Sequence, residues 1–218
     1  MKTTRSIPSG RRQASTHDLA RLARSALASA LARGSDTTPP LQVEPATTPV
    51  APRQMAAAQS ADAGAKERLA ASYEACLRIY RDIAGTQGGA AGLDDVGAAM
   101  AFFVAINLHA LRGVDVEAHA MRPLERQLRG VTRLVANWDA ATQAQRQFFF
   151  ERIAIVSILM SRSLTDAQSQ GPAATADVRR SAREYLQHVL GLDPDLVTLG
   201  EDGLALRDKA VGAMAAHA

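Results

Sequence analysis

The sequence predicts an all-α protein, a single helical bundle of about five helices with a disordered, Pro-rich N-terminal extension. Ala, the best helix former, fills roughly a fifth of the 218 residues, well above its average share. Hydrophobic residues make up 47% of the chain but aromatic residues only 4%, a balance that disfavours strands. Beyond residue 61 the apolar residues recur every three or four positions, which is the spacing of amphipathic helices.

The two ends of the chain are predicted to lie outside the bundle. Residues 1–60 form a disordered basic tail and linker, in which only residues 17–33 have the pattern of a short amphipathic helix. Closely spaced prolines exclude a helix between residues 35 and 60: Pro39, Pro40, Pro45, Pro49 and Pro52. Because residues 1–60 carry few large apolar side chains, we expect them to be dispensable for folding. Residues 194–218 are predicted as a turn and an Ala-rich helix over 203–217.

The helical bundle itself is assigned to residues 61–193. Its first helix, about residues 63–84, has the clearest amphipathic pattern in the chain. Asp94 or Asp95 caps a second helix, which ends at Gly113 because glycine readily adopts the left-handed conformation of a helix end.

The later helices include the predicted centre of the bundle. The third covers about residues 117–137, where Pro123 either starts the helix or kinks an earlier turn. Thr142 begins the fourth, which is apolar nearly all round and is therefore placed at the centre. A turn at residues 169–176 leads to the fifth, over residues 177–190.

The residue types that usually act in catalysis or metal binding do not form a recognisable motif in this sequence. Cys76 falls on the apolar face of the first helix, so we expect an inert, buried thiol that forms no intramolecular disulfide. The five histidines lack the spacing of metal ligands: His17, His109, His119, His188 and His217. We therefore predict no metal and no cofactor, and the missing catalytic motif points away from an enzyme.

A glycine-rich loop before the second helix is the nearest approach to a phosphate-binding motif. It contains Gly85, Gly88, Gly89 and Gly92. The loop follows a helix rather than a strand, lacks the Lys-Ser/Thr of a P-loop and leads into two aspartates, whose charges repel phosphate. A flexible connection between helices is the favoured interpretation.

Two polar residues on apolar faces are the candidate ligand or partner contacts, Asn107 and Arg152. Asn107 projects among apolar side chains of the second helix and is interpreted as a core amide, with ligand contact as the alternative. Arg152 projects among Phe148, Val156 and Leu159, so a buried salt bridge is expected and an anionic ligand is the alternative. The neighbouring Glu151 is assigned to the solvent side.

The charge distribution limits the classes of partner. The net charge of +3 comes from the tail, since residues 1–65 hold eight Lys/Arg and four Asp/Glu. Nucleic acid is not predicted as a partner, because the tail lacks aromatic residues for stacking. No apolar run is long enough to span a membrane, and small Ala and Ser side chains argue against adsorption on a membrane surface through residues 17–33.

Several stretches resemble a family of bacterial α-helical proteins of unknown function. They are YEACLRIYRDIAGTQGG, DDVGAAMAFFVAINLHALRG, RPLERQLRG, RQFFFERIAIVSILM and REYLQHVLGLDPDLVTLGEDGL, in this order over about residues 66–204. The resemblance implies a bacterial source and a compact α-domain, and it carries no catalytic signature. It also implies an export signal, but residues 1–34 lack the apolar stretch of a Sec signal, so the cytoplasm is the default location and non-Sec export is an alternative.

Three functional hypotheses follow from these patterns. The first is a non-enzymatic module that acts by protein interaction or self-association. The second is a small-molecule-binding or catalytic bundle with a pocket near Asn107 and Arg152. The third is a peripheral membrane protein attached through residues 17–33.

Overall fold

The computed structural model describes residues 39–44, 46–86, 93–135, 138–190 and 193–207. This part of the chain is all-α, as predicted, with six α-helices and one small hairpin. The helices are α1 (Ala51–Gln59), α2 (Ala63–Thr86), α3 (Val96–Arg112), α4 (Ala118–Val135), α5 (Gln143–Gln170) and α6 (Pro172–Leu190). The antiparallel hairpin pairs β1 (Val197–Gly200) with β2 (Gly203–Leu206).

The helix ends follow the predicted capping residues. The Asp95 carboxylate accepts a hydrogen bond from the backbone N–H of Ala98, 2.9 Å away, and so caps α3. Gly113 ends the same helix in the left-handed conformation, with φ of 68°. Thr142 caps α5 in a reciprocal arrangement with Gln145. Local chemistry alone therefore sets these boundaries.

The core lies around α3 and α5. Helix α3 packs against α4, α5 and α6, whereas α5 packs against α1, α2, α3 and α6. The largest wholly buried side chains include Phe103 on α3, Phe150 and Ile155 on α5, and Leu124 on α4. The expected central position of the fourth predicted helix is confirmed by these contacts.

The segment before the bundle differs from the predicted extended linker, because residues 51–59 are helical. Pro52 lies in the first turn of α1, where its missing N–H breaks no helical hydrogen bond. Upstream, Leu41 and Val43 are buried and pair with the start of α3 through backbone hydrogen bonds of 3.0 Å to Val96 and Asp94. This packing places the start of the folded chain at or before Leu41 rather than at residue 61.

The C-terminal part also differs from expectation in two places. Residues 203–206 form a strand instead of the start of an Ala-rich helix. The predicted turn at 169–176 is confined to Gly171, whose φ of 101° suits glycine, and α6 starts at once with Pro172 in its first turn.

Some predicted features fall outside the described residues. These are the tail up to residue 38 with its candidate helix 17–33, most of the glycine-rich loop, and residues 208–218. Among the helices that the structure describes, none is long and apolar enough to cross a membrane.

Candidate functional site

A cleft of about 630 Å³ opens between α2, α3 and α4. We call it the Tyr80 cleft. Most of the lining side chains are apolar: Ile83, Ala84, Ala98, Phe102, Ala105, Ile106, Val116, Ala118 and Met121. The polar ones are Tyr80, His109, Asp115, Arg122 and Glu125. A volume of this size in an apolar setting with a few convergent polar groups is typical of small-molecule sites.

The sequence of α3 explains why space exists at this place. Ala98, Phe102, Ala105 and His109 recur at helical spacing and so share one face of the helix. The two alanines leave room where larger residues would fill the gap between α2 and α4. The cleft is thus built by small side chains inside regular helices.

Tyr80 forms the inner wall of the cleft. Its ring packs edge-to-face against Phe102 and Phe150, with ring centroids 5.9 and 5.8 Å apart. Burial raises the pKa of the Tyr80 hydroxyl, and the negative charges of Asp95 and Glu125 raise it further. The hydroxyl therefore stays protonated at neutral pH and is available as a hydrogen-bond donor.

Glu125 brings a carboxyl group to the same wall. Its Oε2 lies 3.5 Å from the Arg129 guanidinium, one turn further along α4, and its side chain is 17% exposed. Burial raises the pKa of Glu125 above its usual range, although the charge of Arg129 acts in the opposite direction. The carboxyl group thus keeps its proton to a higher pH than an exposed glutamate does.

A buried ion pair supports the cleft from behind. Arg129 Nε lies 3.1 Å from Asp95 Oδ1, the same oxygen that caps α3. Asp95 is 0% exposed, and within the described part of the chain its other oxygen has no hydrogen-bond partner. Gly97 makes the arrangement possible, since a Cβ at that position would overlap with Arg129 Cγ.

The outer rim carries His109 and Asp115, whose Nδ1 and Oδ1 atoms are 2.8 Å apart. The two form an ion pair only when the imidazole is protonated. Asp115 is almost fully exposed in the loop after α3, so this pair marks the entrance rather than the interior of the cleft.

Asn107 lies in the core and does not line the Tyr80 cleft. It is 0% exposed, as its interpretation as a core amide requires, and its Nδ2 donates to the Phe103 carbonyl one turn earlier, at 2.8 Å. Its Oδ1 has no partner among the residues that the structure describes. Contact between Asn107 and a ligand stays a prediction.

Arg152 does not occupy the buried position that its helical projection indicated. It is exposed, and the described residues offer it no hydrogen bond or ion pair. The expected buried salt bridge is wrong because α5 is apolar nearly all round, so the periodicity could not define which side faces the core. Asn107 and Arg152 are not brought together, and a role of Arg152 in binding stays a prediction.

The buried charged residue that the structure describes on α5 is instead Glu151, so its predicted position on the solvent side is wrong. It is 2% exposed, and its Oε2 accepts hydrogen bonds from the backbone N–H groups of Val50 and Ala51, at 2.7 and 2.8 Å. Gln147 donates to its Oε1 at 2.8 Å. The spacing of Gln147 and Glu151 by four residues, within an apolar helix, was the signal that could have revealed this face.

The remaining candidate groups that the structure describes form no further site. No group of three or more His, Cys, Asp or Glu residues suitable for a metal ion occurs in the described ranges. Cys76 is buried, as predicted, and burial raises the pKa of its thiol. The Tyr80 cleft is therefore the strongest candidate site.

The fold and the cleft together define an all-α protein whose candidate site is an open, mostly apolar cleft between helices. A model of a family of unknown function, DUF6683, matches residues 7–207, and the chain belongs to that family. The resemblance to a helical family of unknown function is thereby confirmed. No curated protein and no solved structure matches the chain.

Proposed function

We propose that the protein is a binding protein that holds a small amphipathic molecule in the Tyr80 cleft, without a catalytic step. The observation that carries this proposal is one half-buried carboxyl group, Glu125, in the wall of an otherwise largely apolar cavity of about 630 Å³. Such an arrangement favours a ligand with an apolar body and one polar group.

The division of the cleft into regions supports this role. Ile83, Phe102 and Met121 provide apolar surface for the body of a ligand. Glu125 and the Tyr80 hydroxyl provide an acceptor and a donor for its polar group. Specificity would then come from the few polar atoms, and affinity from the apolar walls.

The other hypotheses drawn from the sequence stay predictions. A role in protein interaction or self-association, export by a non-Sec route and membrane attachment through residues 17–33 depend on features outside the Tyr80 cleft. The geometry of the Tyr80 cleft does not depend on any of these three hypotheses.

Binding of the neutral dye Nile red provides the test, because its emission shifts to the blue and rises in an apolar site. We expect the dye to bind the full chain and to lose most of its signal with Ala105→Leu, since the added methyl groups fill the cleft. Ala144→Leu is the matched control, because Ala144 lies on α5 in a separate groove beside Trp138.

Equal loss of dye signal in both leucine variants, or no loss in either, would contradict the proposal. Circular dichroism confirms that each variant is folded before the comparison is made.

A further inference from the structure

We propose that the Tyr80 cleft selects ligands that carry a positive charge, such as an aliphatic amine, and that the charge pairs with Glu125. This inference rests on the proposed function, because it names the class of molecule that the cleft binds.

The first argument is the position of the charges along the cleft. Among the carboxylate and imidazole side chains that line it, Glu125 is the least exposed, at 17%, compared with 30% for His109 and 93% for Asp115. Arg122 is also exposed. A ligand that enters the cleft therefore meets the Glu125 carboxylate deeper in the cleft than the guanidinium of Arg122.

The second argument is the charge balance behind that wall. One guanidinium, Arg129, faces two carboxylates, and it lies closer to Asp95 than to Glu125, at 3.1 against 3.5 Å. The other basic groups that act on Glu125, Arg122 and Arg126, belong to the same helix and form no ion pair with it in the described structure. Among the ion pairs of the described residues, the Asp95 and Glu125 carboxylates therefore share one guanidinium.

The third argument is the chemistry of the surrounding walls. The Glu125 carboxylate accepts no hydrogen bond from the described residues, so it is free to accept one from a ligand. An ammonium group would supply both a second positive charge and the donors. The aromatic rings of Tyr80 and Phe102 line the same cleft and favour a cation over an anion.

The test compares three ten-carbon molecules that differ only in their polar group: decylamine, decanol and decanoate. Each displaces Nile red from the full chain at pH 7.5, below the micelle concentration. We expect decylamine to displace the dye at about tenfold lower concentration than decanoate. The ammonium group forms a charge-assisted hydrogen bond with Glu125, whereas the decanoate carboxylate is repelled by it.

Glu125→Gln should lose the preference for decylamine over decanol, whereas Glu125→Asp should keep it. The preference is the ratio of the two displacing concentrations within one variant, so a change in dye affinity cancels. Glu117→Gln is the control, because Glu117 is exposed and does not line the cleft. If Glu125→Gln does not fold, lowering the pH of the wild-type protein protonates Glu125 and should weaken the preference for decylamine over decanol, two ligands that do not titrate in that range.

The outcomes separate the two proposals. Equal displacement by all three molecules, or a preference that survives in Glu125→Gln, overturns the inference about charge and leaves the binding function intact. Dye binding that is insensitive to Ala105→Leu overturns the proposed function itself.

Discussion

Glu151 caps the helix that begins at Ala51, a residue one hundred positions earlier in the chain. Its Oε2 accepts hydrogen bonds from the backbone N–H groups of Val50, which precedes α1, and Ala51, which begins it, where a carboxylate also meets the positive end of the helix dipole. A carboxylate of the central helix thus holds the N-terminal segment on the bundle.

Replacement of Glu151 by Ala should lower the free energy of unfolding by about 3 kcal/mol, because two buried N–H groups and Gln147 lose their partner. Chemical denaturation measures the change. The neighbouring substitution Arg152→Ala is the control, and since Arg152 is exposed it should change stability by less than about 0.5 kcal/mol. Similar effects of the two substitutions would contradict the assignment of Glu151 to the core.

Truncation tests where the folded chain begins. A variant that starts at residue 39 should melt like the full chain, since it retains Leu41, Val43 and α1. A variant that starts at residue 61 loses these buried side chains and both backbone N–H groups that bond Glu151 Oε2, so we expect a loss of at least ~3 kcal/mol. Equal melting temperatures for the two variants would instead support the start of the folded chain at residue 61, as predicted from the prolines.

Gly97→Ala tests the close approach of α4 to α3. The added Cβ would overlap with Arg129 and lie 2.9 Å from Asp95 Oδ1, so we expect a loss of about 1–3 kcal/mol. At Gly64 in α2 a Cβ would meet nothing closer than 3.4 Å, and Gly64→Ala should leave stability unchanged or raise it. Chemical denaturation of both variants measures the difference, and an equal effect of the two substitutions on the midpoint would contradict the close approach at Gly97.

The pKa of Glu125 gives stability a defined pH dependence. Because burial raises this pKa in the folded state, the folded protein binds the proton more tightly than the unfolded chain does. The contribution of Glu125 to stability therefore falls as the pH rises from the ordinary pKa of a glutamate to the higher pKa of Glu125 in the folded state. Glu125→Gln should flatten the stability profile in that window, as measured by thermal melting across pH. A profile unchanged by the substitution would place Glu125 in solvent.

Those parts of the fold that depend on neighbouring residues could be predicted from the sequence. Asp95, Gly113 and Thr142 set helix ends through contacts within one or two turns, and each lies where the pattern placed it. The burial of Cys76 followed equally from the amphipathic face of α2.

The rest depends on contacts that no local pattern reveals. On α5 the apolar residues surround the helix, so the sequence could not decide between Glu151 and Arg152 as the buried charge. The hairpin is fixed from outside by Gln127 of α4, whose amide bonds both the N–H and the carbonyl of Leu204. The Tyr80 cleft was missed because it arises from alanines, which the sequence shows only as helix formers.

The long-range cap of α1 has a consequence for the synthesis of the chain. Helix α1 has nine residues, too few to be stable alone in water, and its partner on α5 is translated about one hundred residues later. On the ribosome, the first turn of α1 therefore lacks its cap until the polypeptide beyond residue 151 has emerged, although α2, against which α1 also packs, is already made. The hydrogen bonds that anchor the start of α1 thus form only after most of the described chain has been synthesised.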